Sequence, residues 1–571
     1  MPLKPIYHRP PLMDAKTLAL RAGQAHTEDS GLRELYAALC GNLCPETLEA
    51  AVRTGYLVKK EAHESEPIQM LLAILAEQRE DGSLRLNAFE SLRVMRAALA
   101  LVEAEADRGI LEKIIRWCGF LGQHQDEWLT SDGLRAAPAD WLDLFLSVYS
   151  LTGKKALLQL CQAIRSTSMD WSSILRTFSV RKPLAKALDL AAAEAGAEEE
   201  KWSPEGFYTR QLVAGNAVML ADGIRAATCH SRYIGSATDA DAAEISFARI
   251  KHYHGSAAGG MTASDLLMGS SPAEPVSVVS VSAWAEALAQ QVVLGGMWAA
   301  DELEILFSNA FSAALRCPDC SWQMVNVLSN PKPPEMALSF SVEESIHAVH
   351  EAAKTTRLSR LGRAAAAVYA SAVTMKEDGC AINLFLPGRY RLPIAGHAAC
   401  LILEKTGTQD MDIRIQLRSE VRGNIEIRVP SWCRAMDIIV AGENPVCGEA
   451  GTWYKMNRLW KPGDVIHIRM GETLRTVSSY HQGLAVYDGP ILLAMPIRQG
   501  DHLPCAVGEP SHDGEKTLLP IRTAKDWDLK NGQPRDLPVR PACEGPVRSV
   551  ALYPITGLEG HIGLFPMGAE T

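Results

Sequence analysis

Between about residue 30 and residue 372, apolar side chains recur at intervals of three and four. Leu92, Met95, Leu99 and Val102 share one face, Gly109 breaks the run, and Ile110, Ile114, Trp117 and Leu121 resume it. This is the period of amphipathic helices separated by a turn. Trp141 to Tyr149 leads through Thr152-Gly153 into LTGKKALLQLCQAI. Ala285 to Val293 leads through Gly295-Gly296 into LGGMWAADELEILF. Helix, short Gly turn, helix is an αα-hairpin. Repeated over this length, it predicts a toroid of about twelve helices, an (α/α)6 barrel. A helical solenoid is the rival architecture, but no fixed period runs through the segment.

Near residue 380 the period shortens to two. Ile413, Ile415 and Leu417 alternate with Arg414, Gln416 and Arg418, Ile425, Ile427 and Val429 repeat the pattern, and Ile466, Ile468 and Met470 alternate with His467 and Arg469. Short alternating strands punctuated by Gly, Pro and Asn predict a β-sandwich. The stretch 498–540, rich in Pro, Asp and Gly, reads as loops, and RSVALYPI and HIGLFP read as returning strands. The expected fold is multidomain α plus β: a helical barrel over 1–372, an antiparallel sandwich over 373–500, and a loop-rich segment over 501–571 that closes the β region.

Composition narrows the partners. The 571 residues carry a net charge of −10, which disfavours nucleic acid and anionic membranes, since both need a basic face. No apolar run reaches the length of a membrane span, and MPLKPIYHRPPLMDAK has no apolar core of a secretory signal. Thirteen scattered cysteines in a leaderless chain predict reduced thiols and a cytoplasmic location.

The richest stretch is HGSAAGGMTASDLLMG, beginning at His254, followed by helices that carry Trp298, Asp301, Glu304 and Asn309. VPSWC at Val429–Cys433, GTWYKMNRLWKPGDVIHIRM, DGPILLAMPI and VALYPITGLEGHIGLFP follow in order. Together these resemble glycoside hydrolase family 127, the β-L-arabinofuranosidase family once called domain of unknown function 1680. The resemblance runs nearly end to end. It implies a barrel-plus-sandwich fold, a glycosidase acting on a small-molecule or oligosaccharide substrate, and a zinc-bound cysteine nucleophile.

At the level of residues the match is incomplete. Aligned from His254-Gly255 without gaps, the family's acid/base Glu falls on Asp265. An Asp can serve as general acid, though Ser264-Asp265 ahead of Leu266, Leu267 and Met268 also reads as a helix N-cap. The family's Glu-x-Cys falls within Val276–Ser280 (VSVVS), and its Cys-x-Cys-Cys-Pro falls near Thr355–Leu358. Neither segment holds an acid or a thiol, so no metal and no cofactor is expected. Cys317-Pro-Asp-Cys320 is a lone CxxC and reads as two ordinary thiols.

Other candidates are polar residues in apolar surroundings. His254 is a proton-shuttle candidate beside Asp265, and His252 and Tyr253 are substrate-binding candidates, with helix-end capping as the competing role for His254. Asn216 aligns with an Asn that faces the barrel interior in the family. Asp140 and Asp143, opening a helix after Pro138, are candidates for the opposing carboxylate. Asp140 also suits an N-cap, and Trp141 suits either a sugar platform or the core. Asp301 and Glu304 read as structural.

Without a thiolate, an inverting mechanism with paired carboxyl groups is the natural expectation. A non-catalytic carbohydrate-binding relative is the first alternative. A polysaccharide lyase using Tyr253 or His254 near Arg249 and Lys251 is the second. A homodimer through the sandwich edges is also expected.

Overall fold

The computed structural model describes residues 17–59, 62–181, 215–234, 237–261, 267, 277–315, 343–407, 410–440, 443–471, 473–480, 483–496, 502–513, 516–528, 543–555, 561–562 and 564–566. Among the described residues, helices dominate from Ser30 to Ala372, and strands follow from Val373.

Six helices close a ring: α1 (Pro45–Val58), α2 (Ala88–Glu105), α3 (Ala139–Thr152), α4 (Ala217–Ile234), α5 (Val278–Val293) and α6 (Glu343–Ala372). Each packs on the next, and α6 returns to α1. Other helices lie against the outside of the ring. Arg108–Gln123 packs on α2, Ala156–Thr167 on α3, Ala237–His254 on α4 and Met297–Leu306 on α5.

Local chemistry sets the starts and stops. Asn87 and Glu90 form a capping box at α2, and Ser277 accepts the Ser280 N–H at α5. These side chains satisfy backbone donors that a helix cannot pair itself. Gly153 ends α3 at φ 68°, as the Thr152-Gly153 turn predicts. The break after α2 differs from expectation. Ala106 turns left-handed at φ 57° and Asp107 caps the next helix, which places Gly109 inside that helix.

The β region holds three sheets. One joins Thr17–Leu18, Val373–Lys376, Gly379–Ile382, Val421–Val429 and Thr452–Trp460. Its Gly379–Ile382 and Val421–Val429 strands run parallel. A Cβ on Gly379 would stand 1.7 Å from the Asn424 carbonyl oxygen, so only glycine fits there.

The second sheet runs Val446–Gly448, Ala435–Val440, Val465–Gly471, Met411–Leu417, His397–Lys405, Gly388–Ile394 and Ala25–His26. Ile413, Ile415, Ile466 and Ile468 point to the core as their alternation predicts. The third sheet extends into the region read as loops, where Lys516–Asp528 is a 13-residue strand paired with Cys543–Pro554. Its Pro and Asp content hid it, because those residues are depleted from strands on average. Two short N-terminal strands also join the C-terminal sheets, a pairing across more than 350 residues that no local pattern encodes.

Candidate active site in the helical ring

Every ring helix sends charge inward. Glu49 comes from α1, Arg93 and Arg96 from α2, Asp140 and Asp143 from α3, Asp222 and Arg225 from α4, Glu286 from α5, and Arg360 and Arg363 from α6. Asp140 is the hub, with Arg93, Arg225 and Arg363 each at 2.7 Å. Glu49 takes Arg96 at 2.8 Å and Arg93 at 3.2 Å. Arg96 also reaches Asp143 at 3.0 Å. Arg225 joins Asp222 at 3.2 Å and Glu286 at 3.3 Å, and Arg360 joins Asp222 at 3.2 Å.

Among the described residues, these five guanidinium groups, joined by Arg53 at 3.2 Å from Glu49, face five carboxylates. Burial pushes the Glu49 carboxyl up, but Arg96, Arg363, Arg53 and Arg93 outweigh it and hold it down at about 2. Burial likewise opposes ionisation of Asp140, while Arg363, Arg93, Arg225 and Arg96 hold its carboxyl well below the usual range. Asp143 is also lowered, against burial, by Arg96 and Arg225. A carboxyl so depressed carries no proton to donate near neutrality.

Trp141 is only 1% exposed. It stacks between Trp128, centroids 4.9 Å apart, and Trp117 at 5.9 Å, with the Phe89 edge at 6.0 Å. Both ring faces are covered by other aromatic rings, as in a core packing site. Asn216 caps α4, accepting N–H bonds from Val218 and Met219, both at 3.0 Å.

His252, Tyr253 and His254 end the helix outside α4. His252 is exposed, and Tyr253 lies half-buried beneath the Arg181 guanidinium. His254 is wholly buried, with Nε2 2.9 Å from the Val180 carbonyl oxygen and its ring edge-on to Phe178. A carbonyl only accepts, so Nε2 carries the hydrogen. Burial pushes the His254 pKa down. The structure therefore gathers Asp140 and Asp143 in the ring and leaves the three consecutive aromatic residues on an outer helix. Asp265 lies outside the described residues, as do Cys317 and Cys320.

One polar cluster was not anticipated from sequence. Glu46, in the first turn of α1, accepts hydrogen bonds from Thr355 Oγ1 at 3.1 Å and Thr356 Oγ1 at 2.7 Å, and Ser359 Oγ donates to the Glu46 carbonyl at 2.8 Å. Thr356, Arg360 and Arg363 follow helical spacing along α6, and Glu46 lies one turn before Glu49 on α1. The cluster therefore stands one turn beyond the ion network, toward the end of the ring where α1 begins. Leu267, two residues after Asp265, donates to the Gly215 carbonyl at 2.9 Å, at the start of α4. The Pro45-Glu46 start of a helix was legible, but its hydroxyl partners stand about 310 positions away.

Zinc does not fit the positions that the resemblance assigns to its ligands. Ser277 is spent on capping α5, and the Ser280 hydroxyl is buried without a partner among the described residues. Thr355 and Thr356 bind Glu46, and Arg357 is cationic. Only Glu46 offers a ligand of the kind zinc prefers. Among the described residues, no group of three or more His, Cys, Asp or Glu is placed to hold a metal.

The β region bears on the ring through its outer helices. Glu304 and Asp301 grip Arg428, with the Arg428–Glu304 distance 2.6 Å, and Trp432 Nε1 donates to Glu304 at 3.1 Å. Arg428 to Trp432 belong to the VPSWC strand end. Residues 379–471, which include it, match the family model described as beta-L-arabinofuranosidase, GH127 middle domain. This stretch of the chain is similar to the GH127 middle domain. The GH127 match spans the first two sheets apart from Thr17–Leu18, Ala25–His26 and Val373–Lys376.

Solved structures share the fold over the whole length. One titled a glycoside hydrolase aligns at TM-score 0.69 and 13% identity, covering 97% of this chain and 98% of its own. Ara127N-Se, a GH127 beta-L-arabinofuranosidase from Geobacillus Stearothermophilus T6, aligns at 0.62 and 14%, covering 95% and 94%. The GH127 beta-arabinofuranosidase BT3674 aligns at 0.59 and 14%, covering 97% of each chain. No curated protein matches the sequence. No helix among the described residues is long and apolar enough to cross a membrane.

Proposed function

We propose that this chain is a zinc-independent glycoside hydrolase of the GH127 clan, acting on an arabinofuranoside-like glycoside or oligosaccharide at one end of an (α/α)6 barrel. The observation that carries the reading is a GH127 middle domain joined to a ring of helices in a fold shared end to end with GH127 structures. Asp265 is the general acid. Glu46 is the opposing carboxylate, in place of Asp140 and Asp143, which are committed to the guanidinium groups around them.

Three features support Glu46. It stands where the resemblance puts the family's cysteines, two threonine hydroxyls orient its carboxylate, and the chain just after Asp265 is anchored at the same end of the ring. In an inverting reaction Glu46 takes a proton from water as that water attacks the anomeric carbon. The glycosidic bond breaks and Asp265 protonates the leaving oxygen. The two carboxyl groups then need a separation of roughly 6.5–9.5 Å.

The test is turnover of aryl arabinofuranosides, with the product anomer followed by proton NMR. Inversion is expected, and Glu46→Gln and Asp265→Asn should each cost about a hundredfold or more in kcat without lowering the melting temperature. Retained configuration, or zinc at one per chain in the purified protein, overturns the mechanism. No turnover of any aryl glycoside, with sugar binding intact, overturns the enzyme in favour of a carbohydrate-binding relative, a reading favoured by the hydroxyls that stand at the ligand positions.

A further inference from the structure

The exposed face of the second sheet carries a cleft unrelated to the ring. Strand Gly388–Ile394 presents Arg389 and Arg391, and Met411–Leu417 presents Gln416, with Arg418 just past its end. The register sets Arg391 against Cys400 and Cys400 against Gln416, so these side chains form one row across three strands. A cavity of about 630 Å³ opens above them. Arg389, Arg391 and Arg418 line it, with Gln24 and Gln416 and no carboxylate.

The contrast with the ring carries the argument. In the ring Arg93, Arg96, Arg225, Arg360 and Arg363 each meet a carboxylate. On this sheet Arg414 is neutralised by Glu404 at 3.5 Å and does not line the cleft. The three cleft arginines form no ion pair with any described residue. A chain of net charge −10 thus holds three uncompensated guanidinium groups around one concave surface.

Alternate residues of a strand share a face and stand about 7 Å apart, so Arg389 and Arg391 offer two separate forks rather than one. Guanidinium forks recognise carboxylates by paired hydrogen bonds. Pro393 and Ala398 give the cleft an apolar floor, suited to the C–H face of a sugar ring, and the exposed Gln416 carboxamide offers a partner for hydroxyls.

We propose that this cleft is a non-catalytic binding site for a carboxylate-bearing oligosaccharide, a chain containing uronic acid. It rests on the glycosidase reading only for the choice of carbohydrate over other anions. It would hold an acidic stretch of the polymer while a neutral glycoside is cleaved in the ring.

Isothermal titration of the full chain with oligogalacturonate, a neutral arabinan oligomer and inorganic phosphate tests it. Oligogalacturonate should bind and the other two should not. The Arg389→Ala/Arg391→Ala pair should weaken that binding by about tenfold or more and leave turnover of a small aryl glycoside unchanged, and Arg418→Ala should weaken it alone. Absence of oligogalacturonate binding, equal binding by the variants, or preference for phosphate or the neutral oligomer overturns the proposal. Binding without any glycosidase activity in the wild type would leave the cleft standing and remove the enzyme reading, so the two fail separately.

Discussion

A single side chain can be asked whether it serves the fold or the reaction, and Trp141 answers through its neighbours. Stacked between Trp117 and Trp128, it leaves no face for a sugar. Trp141→Ala should cost about 3–5 kcal/mol, read as a lower denaturation midpoint, with KM of the folded fraction unchanged. A raised KM at full stability would restore the sugar-platform role. His230 makes a second prediction at this scale. Burial first, then Arg165, pushes its pKa from 6.5 down to about 4. The folded state therefore resists protonation more than the unfolded chain. The stability that comes from keeping His230 neutral is present above pH 6.5 and is lost as pH falls through about 4. The loss is on the order of 3 kcal/mol, and His230→Gln should flatten the stability profile over that window. The sequence left Trp141 open between core and sugar platform and gave no sign of the His230 shift, since both depend on residues brought in from other helices.

Among the elements, the ring helices were legible one by one and their cohesion was not. Period, caps and the Gly153 turn place α2, α3 and α5 from local residues alone. The charges at Glu49, Arg93, Arg225, Glu286 and Arg363 drew no reading of their own, because nothing in their spacing says that six helices will point them at one another. Asp140 illustrates the consequence. An acid in the first turn after Pro138 suits a cap or a catalyst equally well, and its hub position appears only once α2, α4 and α6 surround it. Asp140→Ala should destabilise the chain by about 3–5 kcal/mol, because it leaves Arg93, Arg225 and Arg363 buried without their counter-charge. A stable Asp140→Ala protein that has lost only activity would return this residue to the chemistry. The same network predicts acid sensitivity. With Glu49 held at about 2, its stabilising charge is fully present above the ordinary carboxylate value near 4.5 and is lost as pH falls through 2.

At the scale of the whole molecule, the helical and β regions meet through polar anchors that sequence motifs announced without explaining. Trp432 and Arg428 lie in a recognisable strand end, and Asp301 and Glu304 in a recognisable helix, yet the two motifs are about 130 residues apart and their pairing is purely spatial. Asn309 adds a second tie, accepting the Leu492 N–H at 2.8 Å and donating to the Pro490 carbonyl at 2.9 Å, and Tyr487 donates to the Ala257 carbonyl at 2.7 Å. That last bond fixes the Gly-rich loop that leads toward Asp265, so the β region helps to hold the proposed site. Burial pushes the Glu304 carboxyl up and Arg428 pulls it back; without Arg428 it would be a buried acid facing Asp301. Arg428→Met should therefore cost about 3–5 kcal/mol at this junction. It should divide one calorimetric unfolding transition into two and expose the 297–306 helix to limited proteolysis. Activity should fall with it, since Gly259 of the loop packs against Leu306 at the end of that helix. A single unshifted transition in Arg428→Met would show that the two regions are held together by their apolar contacts alone.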